Sequence, residues 1–231
     1  MRFAQGVLAM KKIIALVAAS VLASATVFAE NTFHIGAYFP ISPLTASDCE
    51  YDNDIKTSGF GGGFDFTHVA DGGFTFKVGL DVGHVSTSDV KSVIEQKDLG
   101  GVDVALGFGF GGSFIHNERM TLSLTGDFGF RMQYLSETDT IDLHYASGDV
   151  DTSVLSFLFY IGPEISYTFR FNDHVGLFAN FGIFYNVGLA NNDVSISGSY
   201  SGDKYNFGDA GDTYFAKGFT FQPKIGVAFT L

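Results

Sequence analysis

Phe74-Thr75-Phe76-Lys77-Val78-Gly79-Leu80-Asp81-Val82-Gly83 alternates without a break. Phe74, Phe76, Val78, Leu80 and Val82 share one parity, and Thr75, Lys77, Gly79, Asp81 and Gly83 share the other. Successive side chains of an extended strand point to opposite faces, so the segment reads as a strand with one wholly apolar face and one small or charged face. With its continuation to residue 85, this is the third of eight such segments, the others spanning 32–40, 59–69, 100–113, 120–135, 153–171, 175–189 and 217–231. The apolar parity is Phe33, Ile35, Ala37 and Phe39 in the first, Val104, Leu106, Phe108 and Phe110 in the fourth, and Phe219, Phe221, Ile225, Val227 and Phe229 in the last. Nearly all reach the 9–11 residues that a strand needs to cross a bilayer.

The links between segments alternate in length. Those at 70–73, 116–119 and 172–174 are short, whereas those at 41–58, 86–99, 136–152 and 190–216 are long and polar. Short periplasmic turns and long extracellular loops are the layout of a bacterial outer-membrane barrel. The pattern therefore predicts an all-β, eight-stranded antiparallel up-and-down transmembrane β-barrel. Ten strands is the alternative, because the third and fourth long loops carry alternation of their own (Ile141, Leu143, Tyr145; Val194, Ile196). We read these as hairpins rising above the membrane.

Alternation alone fits a soluble barrel too, and the polar face decides between the two. A soluble surface would be rich in Lys, Arg, Asp and Glu. Here the face is mostly Gly and small hydroxyls (Gly107, Gly109, Gly111; Thr121, Ser123, Thr125), and charged residues are only 16% of the chain. Small residues suit the narrow interior of an eight-stranded barrel. The chain has no Trp, so interfacial belts fall to Tyr38, Phe39, Tyr134, Tyr167, Phe169, Tyr185 and Phe219 near strand ends.

Lys11 and Lys12 precede an apolar run from Ile13 to Val27, and Val27-Phe28-Ala29 offers small residues at a cleavage position. Residues 1–29 thus read as a signal peptide, with Met10 an alternative start, and 30–231 as one barrel domain. The formal charge is -12, and losing Arg2, Lys11 and Lys12 with the leader takes it to -15. Such acidity speaks against nucleic acid as a partner. Cys49 is the only cysteine, so no intrachain disulfide forms.

The C-terminus, Lys224-Ile225-Gly226-Val227-Ala228-Phe229-Thr230-Leu231, resembles the assembly signal of bacterial outer-membrane barrels. Lys224, Gly226, Phe229 and Leu231 hold its polar, glycine, aromatic and terminal apolar positions, with Leu231 where the pattern usually has an aromatic. With the strand count, the chain resembles the small eight-stranded barrels of the OmpA transmembrane domain, OmpX and OmpW type, including spirochaetal ones. The resemblance implies the outer membrane, its lipid and the barrel assembly machinery as surroundings and partners. It implies no activity.

The inward parity collects Asp65, Lys77, Asp81, Asp103, Asp127, Arg131, Glu164, Arg170 and Lys224. Charges in so confined a space must pair or meet water. Asp65 and Lys77 are expected opposite each other across a hairpin, and Asp127, Glu164 and Lys224 at similar depth. A fixed ionic plug is the expected role, and a narrow conduit for small solutes the alternative. The acidic, Gly- and Tyr-containing loops near 48, 148 and 208 offer a surface for an extracellular ligand. None has the ordered spacing of a calcium loop, and no cofactor or metal site is expected. His84 and Ser86 form an H-x-S on the outward parity similar to that of a lipid-A-modifying barrel enzyme. No acid can be assigned as third member, so no catalytic residue is named.

Overall fold

The computed structural model describes residues 29–47, 52–91, 96–143, 146–200 and 203–231. Strands are β1 (Ala29–Tyr38), β2 (Ile41–Ser47), β3 (Asp52–Ala70), β4 (Phe74–Lys91), β5 (Gln96–His116), β6 (Met120–Leu143), β7 (Ala146–Arg170), β8 (Val175–Tyr200) and β9 (Asp203–Thr230). Every neighbour is antiparallel, and β9 pairs back with both β1 and β2, which closes the sheet. The expected signal segment up to residue 28 and Cys49 lie outside the described residues.

Nine strands occupy eight barrel positions. β1 and β2 flank Phe39-Pro40, and both pair with β3 on one side and β9 on the other. The register runs through the gap unchanged: Tyr38 opposes Lys224 and Ile41 opposes Phe221, while on the other side Tyr38 opposes Gly61 and Ile41 opposes Ser58. Hydrogen bonds from Phe39 N to Pro223 O and from Gly59 N to Pro40 O, each 3.0 Å, bridge the break. Proline has no N–H to give a ladder, so Pro40 interrupts the strand without displacing it.

The stagger follows from the register. From Ile35 the paired positions run through Phe64, Leu80, Leu106, Phe130, Phe159, Val187 and Lys217 to Thr45, ten residues along the strand that began the circuit. Closing a sheet with such a shear tilts the strands by about 35–45°.

The short links are turns at 71–73, 117–119 and 171–174, and Gly73, with φ of 80°, supplies the left-handed residue of the first. Asn117 and Asn172 close the other two by accepting the backbone N–H groups of Arg119 and Met120, and of His174 and Val175. At the opposite end the strands run well past the predicted limits. β6 and β7 stay paired to Leu143 and Ala146, and β8 and β9 to Tyr200 and Asp203. β7 and β8 also pair over this stretch, whereas β5 joins β6 only from Gly100 and Ser136 inward. β6 to β9 therefore rise together as a four-stranded sheet, and the alternation seen in these loops belongs to hairpins rather than to a fifth pair of membrane strands.

The outside of the barrel is apolar all round. Phe60, Leu80, Phe130, Phe157, Ile161 and Ile225 stand exposed on the outer face, Phe130 at 64%. Rings on this face touch, as in the stacked Phe110–Phe128 pair at 6.1 Å and the edge-on Tyr185–Phe219 pair at 5.3 Å. A belt of this kind on a closed sheet with a polar interior is a lipid-facing surface. Tyr38 departs from the expected belt: it has inward parity, is fully buried, and donates to Asp103 Oδ2 at 3.0 Å.

The lipid-facing assignment has a direct energetic consequence. Leu80→Arg, on the outer face at the level of the buried charges, should cost about 2–4 kcal/mol in a denaturant titration of the refolded protein in lipid vesicles. A soluble barrel would tolerate the change.

Candidate functional site: the barrel interior

The polar-parity side chains point into the lumen, and among the described residues most of them are buried there. Small and large side chains alternate across it. Gly107 and Gly129, paired on β5 and β6, leave room for the Tyr160 ring, since a Cβ on Gly129 would lie 2.8 Å from Tyr160 Cζ. Phe184 packs on Tyr160 at 5.1 Å between centroids, and the Arg131 guanidinium lies 5.8 Å over the same ring.

The charged side chains sort into four groups along the lumen, two of them side by side. At the short-turn mouth Arg170 pairs with Glu30, donates to Asn117 O, and reaches Thr121 Oγ1 at 3.2 Å. Deeper, Lys77 Nζ lies between Asp127, at 2.9 Å, and Glu164. Beside it Lys224 Nζ lies between Asp65, at 3.0 Å, and Asp81, at 2.8 Å. Towards the long loops Arg131 faces Asp103 at 3.4 Å, and it donates to Thr220 Oγ1 at 2.8 Å and to Gln222. Gln222 in turn donates to Asp81 Oδ2 at 2.7 Å. One chain of contacts thus links Asp65, Lys224, Asp81, Gln222, Arg131, Asp103 and Tyr38.

The structure brings all nine expected residues into the interior but changes who meets whom. Lys77 opposes Thr67, not Asp65, which opposes Gly79. Strand tilt carries Lys77 towards β6 and β7, and Asp65 bonds Lys224 across the closing seam. Asp127 and Glu164 share Lys77 and not Lys224, for the same reason. Glu30, Tyr38, Gln222 and Tyr160 complete the network. Tyr38, Tyr160 and Gln222 share the inward parity, but uncharged groups carry no demand for a partner that spacing reveals.

Above these layers, on the long-loop side, Leu44, Val85, Leu99, Leu135, Val154, Leu158, Ala190 and Ala216 form a buried apolar cluster. They come from β2 and β4 to β9, so the cluster spans the lumen. Among the described residues below it lie a cavity of about 10 Å³ between the lysine-centred groups and another of about 10 Å³ ringed by the hydroxyls of Thr32, Thr67, Thr121, Ser123, Ser166 and Thr168. That is room for about one water molecule apiece.

His84 and Ser86 both lie exposed on the outer face, where the His84 ring meets Phe60 at 6.1 Å. Of the acidic loop stretches, Asp149 and Asp151 are exposed, and those near 48 and 208 fall mostly among side chains outside the described residues. Of the C-terminal pattern, Lys224 and Gly226 face inward, with Gly226 against Gly36 at the seam, and Phe229 and Leu231 face outward.

These features define a transmembrane β-barrel of the outer-membrane type with a filled lumen. No family model matches the sequence, and no curated protein matches it. Among solved structures the chain is similar to the outer membrane protein OprG from Pseudomonas aeruginosa, at 13% identity over 87% of this chain and 95% of that one, with a TM-score of 0.48. It is similar to a major outer membrane protein from Thermus thermophilus at 14% identity over 84% and 99%, with a TM-score of 0.49. To the attachment invasion locus protein Ail of Yersinia pestis it is 12% identical over 87% and 99%, with a TM-score of 0.36. The architecture itself rests on the strand register, which closes without reference to any of them.

Removing a lysine tests how tightly the layers depend on one another. Lys77→Met strands two buried carboxyl groups and should destabilise the barrel by about 3–5 kcal/mol, read by circular dichroism during denaturant unfolding. Lys56→Met, at an exposed position, should change stability little.

Proposed function

We propose that this chain is an integral protein of the bacterial outer membrane, a non-conducting barrel that holds four hairpins on the outside. One observation carries the reading: side chains fill the lumen from the Glu30–Arg170 pair at one end to the apolar cluster at the other. A conduit needs a continuous wet path, and a cluster of buried Leu, Val and Ala drawn from seven strands opposes one. The work of such a protein lies in what it displays. The sheet of β6 to β9 carries an excess of acidic residues at its far end, and this extended surface is the part suited to meet an extracellular ligand. Lipid surrounds the apolar belt, and the C-terminal Lys224, Gly226, Phe229 and Leu231 pattern addresses the barrel to its assembly machinery. Chemistry on a substrate forms no part of this reading.

Planar bilayer recording on the refolded protein tests the closed lumen: flat traces are expected, and resolved current steps would replace this reading with the narrow-channel one. Deleting 138–151 should leave the mobility shift on heating intact, since the lost pairs lie outside the membrane. The same deletion should abolish binding of the intact cells' surface partner.

A further inference from the structure

The formal charges of the buried interior do not balance. Lys77 stands between Asp127 and Glu164, and Lys224 between Asp65 and Asp81. With every group ionised, each lysine-centred triad carries one negative charge too many. The remaining buried cations do not make up the difference, because Arg131 is matched by Asp103 and Arg170 by Glu30. Among the described residues these four are the only buried Lys and Arg side chains. The other groups around the triads add no fixed charge: Tyr160 from β7, Gln222 from β9, and Tyr38 and His34 from β1. His34 Nε2 is engaged with Thr168 Oγ1 at 3.1 Å.

A carboxylate taken out of water without a matching charge neutralises by protonation, and two carboxyl groups sharing one site do not both ionise. A second observation points the same way. The two triads line one water-sized cavity, and Asp127 Oδ1, on a residue only 4% exposed, has no hydrogen-bond partner. No donor reaches that oxygen, so the triad of Lys77, Asp127 and Glu164 lacks the hydrogen bonds that would support a second full negative charge.

We propose that each triad binds one proton, so that the folded barrel at neutral pH holds two protonated carboxyl groups in its core. The proton adds to a carboxylate oxygen as H⁺ from water at the short-turn end, and nothing else is transferred. Ser166 Oγ donates to Glu164 Oε1 at 3.1 Å and stands at the top of the hydroxyl-ringed cavity below. That cavity gives a polar approach from the short-turn mouth, while the apolar cluster closes the approach from the long-loop side. The interior is thus a proton site served from one face of the membrane.

Infrared spectroscopy of the refolded full barrel in lipid vesicles at pH 7 tests this. The wild type should show a protonated-carboxyl C=O absorption that shifts in D2O. Glu164→Gln and Asp81→Asn should each remove half of it, because each leaves a lysine balanced by one carboxylate, and the double variant should remove all of it. Mobility shift on heating reports that each variant is folded. Should the double variant fail to fold, Asp127→Asn with Asp65→Asn makes the same neutralisation from the other side. A folded wild type without the absorption overturns the proposal, as does an absorption that survives in the folded double variant. If the wild type instead lacks the band and gains thermal stability with added sodium at constant ionic strength, a metal cation balances the core and the proposal fails. Current steps in bilayer recordings would remove the non-conducting reading without touching this one.

Discussion

Hydrocarbon offers the peptide backbone nothing to bond with, so every N–H and C=O in the membrane must find its partner within the protein. For a sheet, that leaves closure as the one solution, and here it is met where β9 returns to β1 and β2. The rest of the molecule follows from that ring. Eight positions and a stagger of ten residues fix a narrow lumen, and a narrow lumen fixes what can fill it. Each bulky inward side chain requires a small one opposite, which is why Tyr160 faces Gly107 and Gly129. The outer face has no such constraint and can be uniformly large.

Closure also decides where polar atoms can go. The tilted strands bring together residues far apart in the chain, and the interior uses this to match charge with charge. Those matches hold the polar groups in a few layers, with the Glu30–Arg170 pair and hydroxyls at the short-turn end, ions at the centre and an aliphatic cluster towards the long loops. The layering sets the ionic centre apart from the aliphatic cluster on the long-loop side, where buried Thr87 and Ser156 lie beside Leu99 and Ala190.

Much of this was legible in the residues. Period-two alternation located all eight membrane segments, because lipid on one side and a cramped lumen on the other make the two faces chemically unlike. The turns were legible through Ala70-Asp71-Gly72-Gly73 and Asn172-Asp173-His174, where alternation stops. Parity likewise marked Asp65, Lys77, Asp81, Asp127, Glu164 and Lys224 as inward. Their partners were not legible, since pairing depends on the shear of the closed barrel, which no single segment encodes. Tyr38 was misplaced in the belt because an aromatic near a strand end suggests an interface, although its parity pointed inward. Glu30, beside the expected cleavage position, gave no hint of an ion pair with Arg170, because that contact exists only once the first strand and the seventh face each other across the lumen.

The break at Phe39-Pro40 shows how tolerant the ring is locally, whereas the ion pairs show how intolerant it is globally. Asp65 and Asp81 sit on early strands and Lys224 on the last one, 159 residues from Asp65. Until β9 is in place, a growing sheet has two carboxyl groups and no lysine to meet them, and an arriving β9 brings a lysine with nothing to meet. Neither half is comfortable in lipid alone. Partial barrels are therefore poor intermediates, and the order of events favours a chain that curls and seals in one concerted step over one that adds strands to a sheet already lying in the bilayer.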